Sequence, residues 1–478
     1  MNDAIRFTST REKIDPVRFD EAVLQGFAPG GGLFVPDRLP QFSKADLNQM
    51  KELSYPDLCV AVLSNFIDPG IIPPKDLETL VRKSFEGFGH PDILPLVPCP
   101  TDSSIRIMEL FHGPTLSFKD IAMGFLVRVM DYLLAREGRH LNIILATTGD
   151  TGPAAAHAAA GLSTIDCWPL FPKGMITPEQ EIQMTGLTAP NIHPVGVRNC
   201  PDGGDDLDRV VLDLFRDRDL KTRLNLSSVN SINWCRVMVQ SVHYFYAYFR
   251  TCEQVGDPIV FSVPSGAFGN LFAGYLAREM GLPVHRFICS VNANQTLNRA
   301  FTSGLFKHGD LITTCSSAID IVIPYNFWRF LYFATGRDTA KISRWMDEFR
   351  ASGQVQLDAP TREAITKGFQ SVSVTDRLTL ATIEELYGAA PSYLLDPHGA
   401  VALAGASKED GSMPVVCLAT AHPAKFPDII TRALAGPGLP PEATHPSLVP
   451  GSDINLDVCD LMNLEQYLIN SIGSVSGR

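Results

Sequence analysis

Lys119 stands where the turn-forming stretch Leu110-Phe111-His112-Gly113-Pro114-Thr115-Leu116-Ser117-Phe118 gives way to an apolar run, expected to be helical over residues 121–134. Apolar walls penalise an ammonium ion, so an amine held there gives up its proton more readily and suits Schiff-base chemistry. The plainer alternative is a lysine that reaches water along its alkyl stem. Two stretches further on have the composition of anion cradles. In the first, the apolar segment 141–146 runs into Thr147-Thr148-Gly149-Asp150-Thr151-Gly152 and then an alanine-rich helix over 153–160. In the second, the buried-type strand 258–264 runs into Ser265-Gly266-Ala267-Phe268-Gly269-Asn270 and a helix over 271–280. Strand, glycine turn and helix together aim backbone N–H groups at a bound anion, and small residues let the backbone approach it. Many such turns hold no ligand; two in one chain, with a loop lysine, are harder to set aside. Between them, Asn230, Ser231 and Arg236 could converge on an oxyanion, since a guanidinium fork donates twice to phosphate. A polar loop with a helix cap is the alternative there.

These residues need a scaffold that brings strand ends together. Short apolar strands alternate with helices from about residue 105 to 430, the pattern of a parallel α/β core. The strand over 415–420 ends at Thr420, where the carboxyl end of a parallel strand meets a ligand. Residues 1–100 read as a mainly helical N-terminal domain. Ser43 is expected to cap a helix from Lys44, and Pro56 and Pro73-Pro74 sit near helix starts. We divide the rest into a small α/β domain (101–255) carrying Lys119 and the substrate loops, a large α/β domain (256–435) carrying the Ser265 turn, and a C-terminal surface tail (436–478) with one short helix over 461–469. Asp202-Gly203-Gly204-Asp205-Asp206 reads as an acidic loop capping a helix over 207–215. Residues 318–333, with Asp320 and Arg329 as their only charges, read as packing.

Composition narrows the functional classes. A formal net charge of −12 over 478 residues argues against a nucleic-acid surface or anionic membranes as main partners. No apolar run reaches membrane-spanning length, and the N-terminus lacks the basic-then-apolar layout of a secretory signal. We therefore expect a cytoplasmic protein. The 10 cysteines form no CxxC pair and no metal-type spacing with histidine, so free buried thiols and no metal are expected.

Together the stretches resemble the fold-type II pyridoxal-phosphate enzymes, and more narrowly the threonine synthase family. The matching segments are LFHGPTLSFKD (110–120), TTGDTG (147–152), NSINWCR (230–236), VPSGAFGN (263–270), DPHG (396–399) and TAHPAKF (420–426). Residues 21–40, EAVLQGFAPGGGLFVPDRLP, are similar to that family's opening. The resemblance implies an α/β, tryptophan synthase β-like fold with two parallel-sheet domains and an extra N-terminal domain. It implies Lys119 as the lysine that carries pyridoxal 5'-phosphate and shuttles protons. Ser265, Gly266, Ala267, Phe268, Gly269 and Asn270 would hold the cofactor phosphate, and Thr420 the pyridine nitrogen. Thr147, Thr148, Gly149, Asp150 and Thr151 would bind the substrate α-carboxylate, and Asn230, Ser231 and Arg236 the substrate phosphate. The implied reaction takes O-phospho-L-homoserine and water to L-threonine and phosphate, in a monomer or homodimer. Four positions depart from the family pattern. Ala267 stands for a usual Asn, Thr148 for a Ser, Gly399 for the Thr of DPHT, and Ala419 for a Ser or Gly. Ala267 loses an amide near the cofactor, and Gly399 is expected to widen the pocket. These changes keep open a related lyase, deaminase or replacement enzyme acting on another amino acid.

Overall fold

A computed structural model describes residues 4–407, 409–436, 438–448 and 455–476. Its frame is two parallel sheets facing a shared cleft. The larger has six strands in the order Phe369–Ser373, Val284–Val291, Ile259–Pro264, Val415–Ala419, Asp102–Glu109 and Leu96–Cys99. All its pairs are parallel except the edge pair, where Leu96 opposes Met108 in antiparallel register. Ile259–Pro264 and Val415–Ala419 are buried throughout, as a sheet covered on both faces requires. The smaller sheet has five parallel strands: Asp457–Asp460, Val195–Arg198, Ile165–Pro172, Leu141–Ala146 and Leu226–Ser227.

Chain order does not dictate sheet membership here. The strand Asp102–Glu109 falls within the stretch assigned to the small domain. It nevertheless pairs with Val415–Ala419, Ile105 facing Val415, and belongs to the large sheet. The helix Lys119–Glu137 that follows lies in the core shared by both halves, with Ile121, Phe125 and Leu126 buried. The C-terminal residues also differ from a surface tail. Asp457–Asp460 extends the small sheet, and the helix Leu464–Ser476 buries Leu464, Leu468 and Ile472 against it. The short helix expected over 461–469 is observed as Leu464–Ser476, and its apolar positions recur every four residues and are buried rather than laid on the surface.

The N-terminal helices follow their sequence signals. Ser43 accepts the Asp46 N–H at the start of Lys44–Met50, Pro56 lies in the first turn of Tyr55–Leu63, and Pro74 opens Pro74–Ser84. Phe7–Ser9 and Phe34–Pro36 close this part as a two-stranded antiparallel ribbon. Asp205 and Asp206 are not in a loop. They occupy the first turn of the helix Gly204–Arg216, where carboxylates meet the positive end of the helix dipole. All ten cysteines are free, and no cluster suited to a metal ion occurs among the described residues.

Candidate active site

The cleft collects the carboxyl ends of strands from both sheets. Leu141–Ala146 delivers Thr147, Thr148, Asp150 and Thr151, and Leu226–Ser227 leads to Asn230, Ser231 and Arg236. Ile259–Pro264 delivers Ser265 to Asn270, and Val415–Ala419 ends at Thr420. All of these, with Lys119, line one cavity. Open parallel sheets place ligands at such strand ends. Gly149 alone among the expected residues stays out of the lining. It sits behind the turn at φ 121°, where a Cβ would lie 2.3 Å from the Gln180 side chain, so its role is to shape the loop.

Lys119 opens its helix, with Nζ 4.0 Å from the centroid of the Phe118 ring. It is half-buried, and its remaining exposure is to the cavity. Burial pushes the amine down to about 8. Asp150, the charged neighbour with the largest influence, opposes the shift, and Arg236 and Lys425 add to it. Free amine is therefore accessible near neutral pH.

The Thr147 turn is fixed from within. Thr147 Oγ1 accepts the N–H groups of Gly149 (3.1 Å) and Gly152 (3.0 Å), while Thr148 Oγ1 donates to the Ala318 carbonyl at 3.3 Å. Asp150 is buried and faces Lys425, whose Nζ lies 2.8 Å from Asp150 Oδ1. Gln180 Nε2 donates to the same oxygen at 3.0 Å. Burial alone would raise the Asp150 carboxyl, but Lys425, then Lys119 and His398, hold it well below the usual carboxylate range.

The Ser265 turn leads into the helix Gly269–Glu279, whose N-terminus has no side-chain cap. Uncapped first-turn N–H groups form an anion site. Phe268 holds the left-handed conformation (φ 64°) that sharpens the turn. Asn270 Oδ1 accepts from His243 Nε2 (2.9 Å) and the Tyr244 hydroxyl (3.0 Å), which leaves the buried Nδ2 without a partner. A buried donor with no acceptor is costly, and a phosphate oxygen would satisfy it. At Gly266 a Cβ would lie 2.8 Å from Ile319 Cα, so the floor admits only glycine without movement. The Ser265 N–H and hydroxyl donate to Ser290 O (2.8 Å) and Val263 O (3.1 Å), so Ser265 shapes this cradle through its neighbours. The donor set fits the phosphate of pyridoxal phosphate.

Arg236 has the donors for a second anion. It is buried, forms no ion pair among the described residues, donates to Val229 O at 2.8 Å, and has an unpartnered Nε. Burial first of all pushes its guanidinium down to about 10. Asn230 spends its amide on Ala146 O (3.2 Å) and Asp208 Oδ1 (3.3 Å). Ser231 Oγ accepts from Asn326 Nδ2 at 2.9 Å.

Four features were not foreseen. Lys425 is fully buried yet was quoted only as part of a motif. Asp205 and Asp208 line the cavity; burial pushes Asp205 up to about 7 and Asp208 well above the carboxylate range. Arg329, expected in a packing segment, is buried beneath the Ser231 loop and donates to Ser231 O (2.9 Å), to Asn326 Oδ1 (2.7 Å) and to Ile232 O. An arginine in an aromatic run was the available signal. Finally, His398 Nε2 accepts the Ala318 N–H at 3.0 Å, with Asp396 Oδ2 2.7 Å from His398 Nδ1. Gly399 does not widen the cavity: a Cβ there would meet Leu395 Cδ1 at 2.6 Å, away from the lining.

A lysine with a lowered proton affinity beside an uncapped helix start, between two parallel sheets, defines a pyridoxal-phosphate enzyme of fold type II. The family model described as "Pyridoxal-phosphate dependent enzyme" matches residues 94–420. The models "Threonine synthase N terminus" and "Threonine synthase, C-terminal" match residues 6–85 and 399–448. The chain is 36% identical to threonine synthase of Saccharomyces cerevisiae over 450 residues, covering 88% of this chain and 87% of that one. It is 38% identical to threonine synthase-like 2 of Xenopus laevis over 443 residues, covering 92% of each. The crystal structure of pyridoxal-phosphate-bound threonine synthase from Brucella melitensis superposes with a TM-score of 0.88 at 38% identity, covering 98% of this chain and 99% of that one. This chain belongs to the threonine synthase family.

Proposed function

We propose that the protein is a phosphate-releasing lyase that converts O-phospho-L-homoserine and water to L-threonine and phosphate. The observation that carries this reading is a pair of buried unpartnered donors, Asn270 Nδ2 and Arg236 Nε, whose residues line one cavity with Lys119. The uncapped helix start at Phe268 suits the cofactor phosphate, and the unpaired Arg236 suits a phosphate on the substrate. Bound pyridoxal phosphate supplies the electron sink for carbanion chemistry at the amino acid. Asn270 Nδ2 and the backbone N–H groups from Gly266 to Gly269 would hold its phosphate, and the Thr420 hydroxyl would hydrogen-bond its pyridine nitrogen. Lys119 Nζ, as free amine, takes the α-proton of the substrate and returns protons later in the turnover. The Thr147–Thr151 turn binds the α-carboxylate through hydroxyl and N–H donors; the Asp150 carboxylate repels that group and acts otherwise. Arg236, with Ser231, holds the phosphate that leaves. Asn230 orients this loop through Ala146 and Asp208. We place the reaction in the cytoplasm, on a small amino-acid substrate, with no nucleic-acid or membrane partner, in a monomer or homodimer. We keep the breaks at residues 100, 255 and 435 as proposed boundaries along the chain, across which Asp102–Glu109 joins the large sheet and Asp457–Asp460 the small one.

A second reading, a related lyase, deaminase or replacement enzyme, rests on Ala267 and on the likeness to threonine synthase-like 2. One experiment separates the two. Purified protein loaded with pyridoxal phosphate is given O-phosphohomoserine, and phosphate and threonine are measured together. Equal amounts are expected. Phosphate without threonine, or faster turnover of an unphosphorylated amino acid, favours the second reading. Lys119→Ala is expected to abolish both the reaction and the cofactor's visible absorbance.

A further inference from the structure

Among the described residues, one buried ion pair spans the two halves of the cleft. Lys425 lies in the loop after the large-sheet strand Val415–Ala419, Asp150 in the turn after the small-sheet strand Leu141–Ala146, and Nζ and Oδ1 are 2.8 Å apart. Both side chains are buried. Lys425 Nζ also donates to Thr115 O at 2.9 Å, in the turn before Lys119, and Gln183 Nε2 donates to the same carbonyl at 3.0 Å. Gln180 Nε2 donates to Asp150 from behind, and Thr177 Oγ1 donates to Lys425 O at 3.0 Å. Lys425 is outside the cavity lining, whereas Asp150 and Lys119 are both in it.

Separating a buried ion pair leaves an uncompensated charge, so Asp150 stays held against Lys425 in the folded protein. We propose, building on the pyridoxal-phosphate reading, that Lys425 is a positioning residue that clamps Asp150 as a fixed counter-charge facing Lys119. The geometry makes the clamp contribute to both ends of the chemistry. It ties the loop carrying Thr420 to the turn carrying Thr147, and it rations how much negative charge Lys119 sees. The charged groups that act on Lys119 are Asp150, Arg236, Lys425 and Asp120; those that act on Asp150 are Lys425, Lys119 and His398. Without Lys425, Asp150 has Lys119 as its remaining strong cation, and Lys119 keeps its proton to higher pH. Without both charges, Lys119 loses an attraction larger than the repulsion it escapes, and gives up its proton at lower pH.

The test titrates Lys119 itself in the full-length protein stripped of cofactor. Acetylation of Lys119 is followed against pH by peptide mass spectrometry. The wild-type midpoint is expected near 8. Lys425→Met should raise it by about one unit or more, lowering labelling at pH 8 by about fivefold or more. Lys425→Arg should restore it to near the wild-type value. Asp150→Asn with Lys425→Met should place it below the wild type. An unchanged midpoint in Lys425→Met overturns the proposal, since a merely structural lysine would not move it. So does a double variant at or above the wild-type midpoint, which decides the matter if Lys425→Met fails to fold. Wild-type protein that took up no pyridoxal phosphate would defeat the functional reading separately, and this titration would still stand on its own.

Discussion

At the scale of residues, reactivity follows from where charge is left unpaired. Lys119 is an amine brought down to about 8 by burial, against the attraction of Asp150. Attack on the cofactor aldehyde requires the free amine, and below its midpoint that fraction falls about tenfold for each pH unit. Covalent capture of pyridoxal phosphate should therefore quicken with pH, with a slope of one in logarithms, and level off near pH 8. Stopped-flow absorbance would check this. An ordinary lysine would continue to accelerate to about pH 10. The character of Lys119 was legible in the sequence because its apolar neighbours adjoin it in the chain. Lys425 was not, because its partner Asp150 comes from another sheet, and no local pattern announces a contact across a cleft. Arg329 was misread for a similar reason. Its carbonyl acceptors at Ser231 and Ile232 belong to a different element.

Elements carry the site's shape. The strand, glycine turn and helix around Ser265 were evident from composition, as were most helix starts in the N-terminal part. What sequence could not show is how the turn is supported. Phe268 holds its left-handed backbone while its ring meets Phe327 edge-on at 5.3 Å and Phe330 at 5.3 Å. The segment expected to be mere packing thus supports the Ser265 turn from below. Gly266→Ala tests this. Its Cβ would meet Ile319 Cα at 2.8 Å, and a backbone atom cannot swing aside as a side chain would. The loop must shift, and cofactor affinity should fall by about tenfold or more, as misplacing preorganised donors costs on the order of one or two kcal/mol. Fluorescence titration of the apoprotein gives the affinity, and an unchanged far-ultraviolet spectrum would show that the fold persists. The acidic stretch at Asp202 shows the reverse error. Two adjacent carboxylates look like a loop, but the helix begins ahead of them at Gly204, where Asp206 pairs with Arg209 and Asp205 Oδ2 accepts the Val322 N–H.

For the whole molecule, alternating strands and helices announced a parallel α/β core, and the two sheets bear that out. Membership of each sheet was not readable, because both are built from similar apolar strands. The last helix shows the consequence for stability. Leu468 is buried in the small-sheet core with Leu464 and Ile472. Leu468→Ala should cost about 2–5 kcal/mol, the usual range for a buried leucine. A lowered urea midpoint would show it, and a surface helix would show little change. The same arrangement sets a timetable for synthesis. As the chain leaves the ribosome, the stretch containing Val195–Arg198 appears long before Asp457–Asp460, its partner at the sheet margin. For most of translation that margin stays open, an edge able to recruit a strand from another nascent chain. Its closure is a late event, possible only once the last strand has been made.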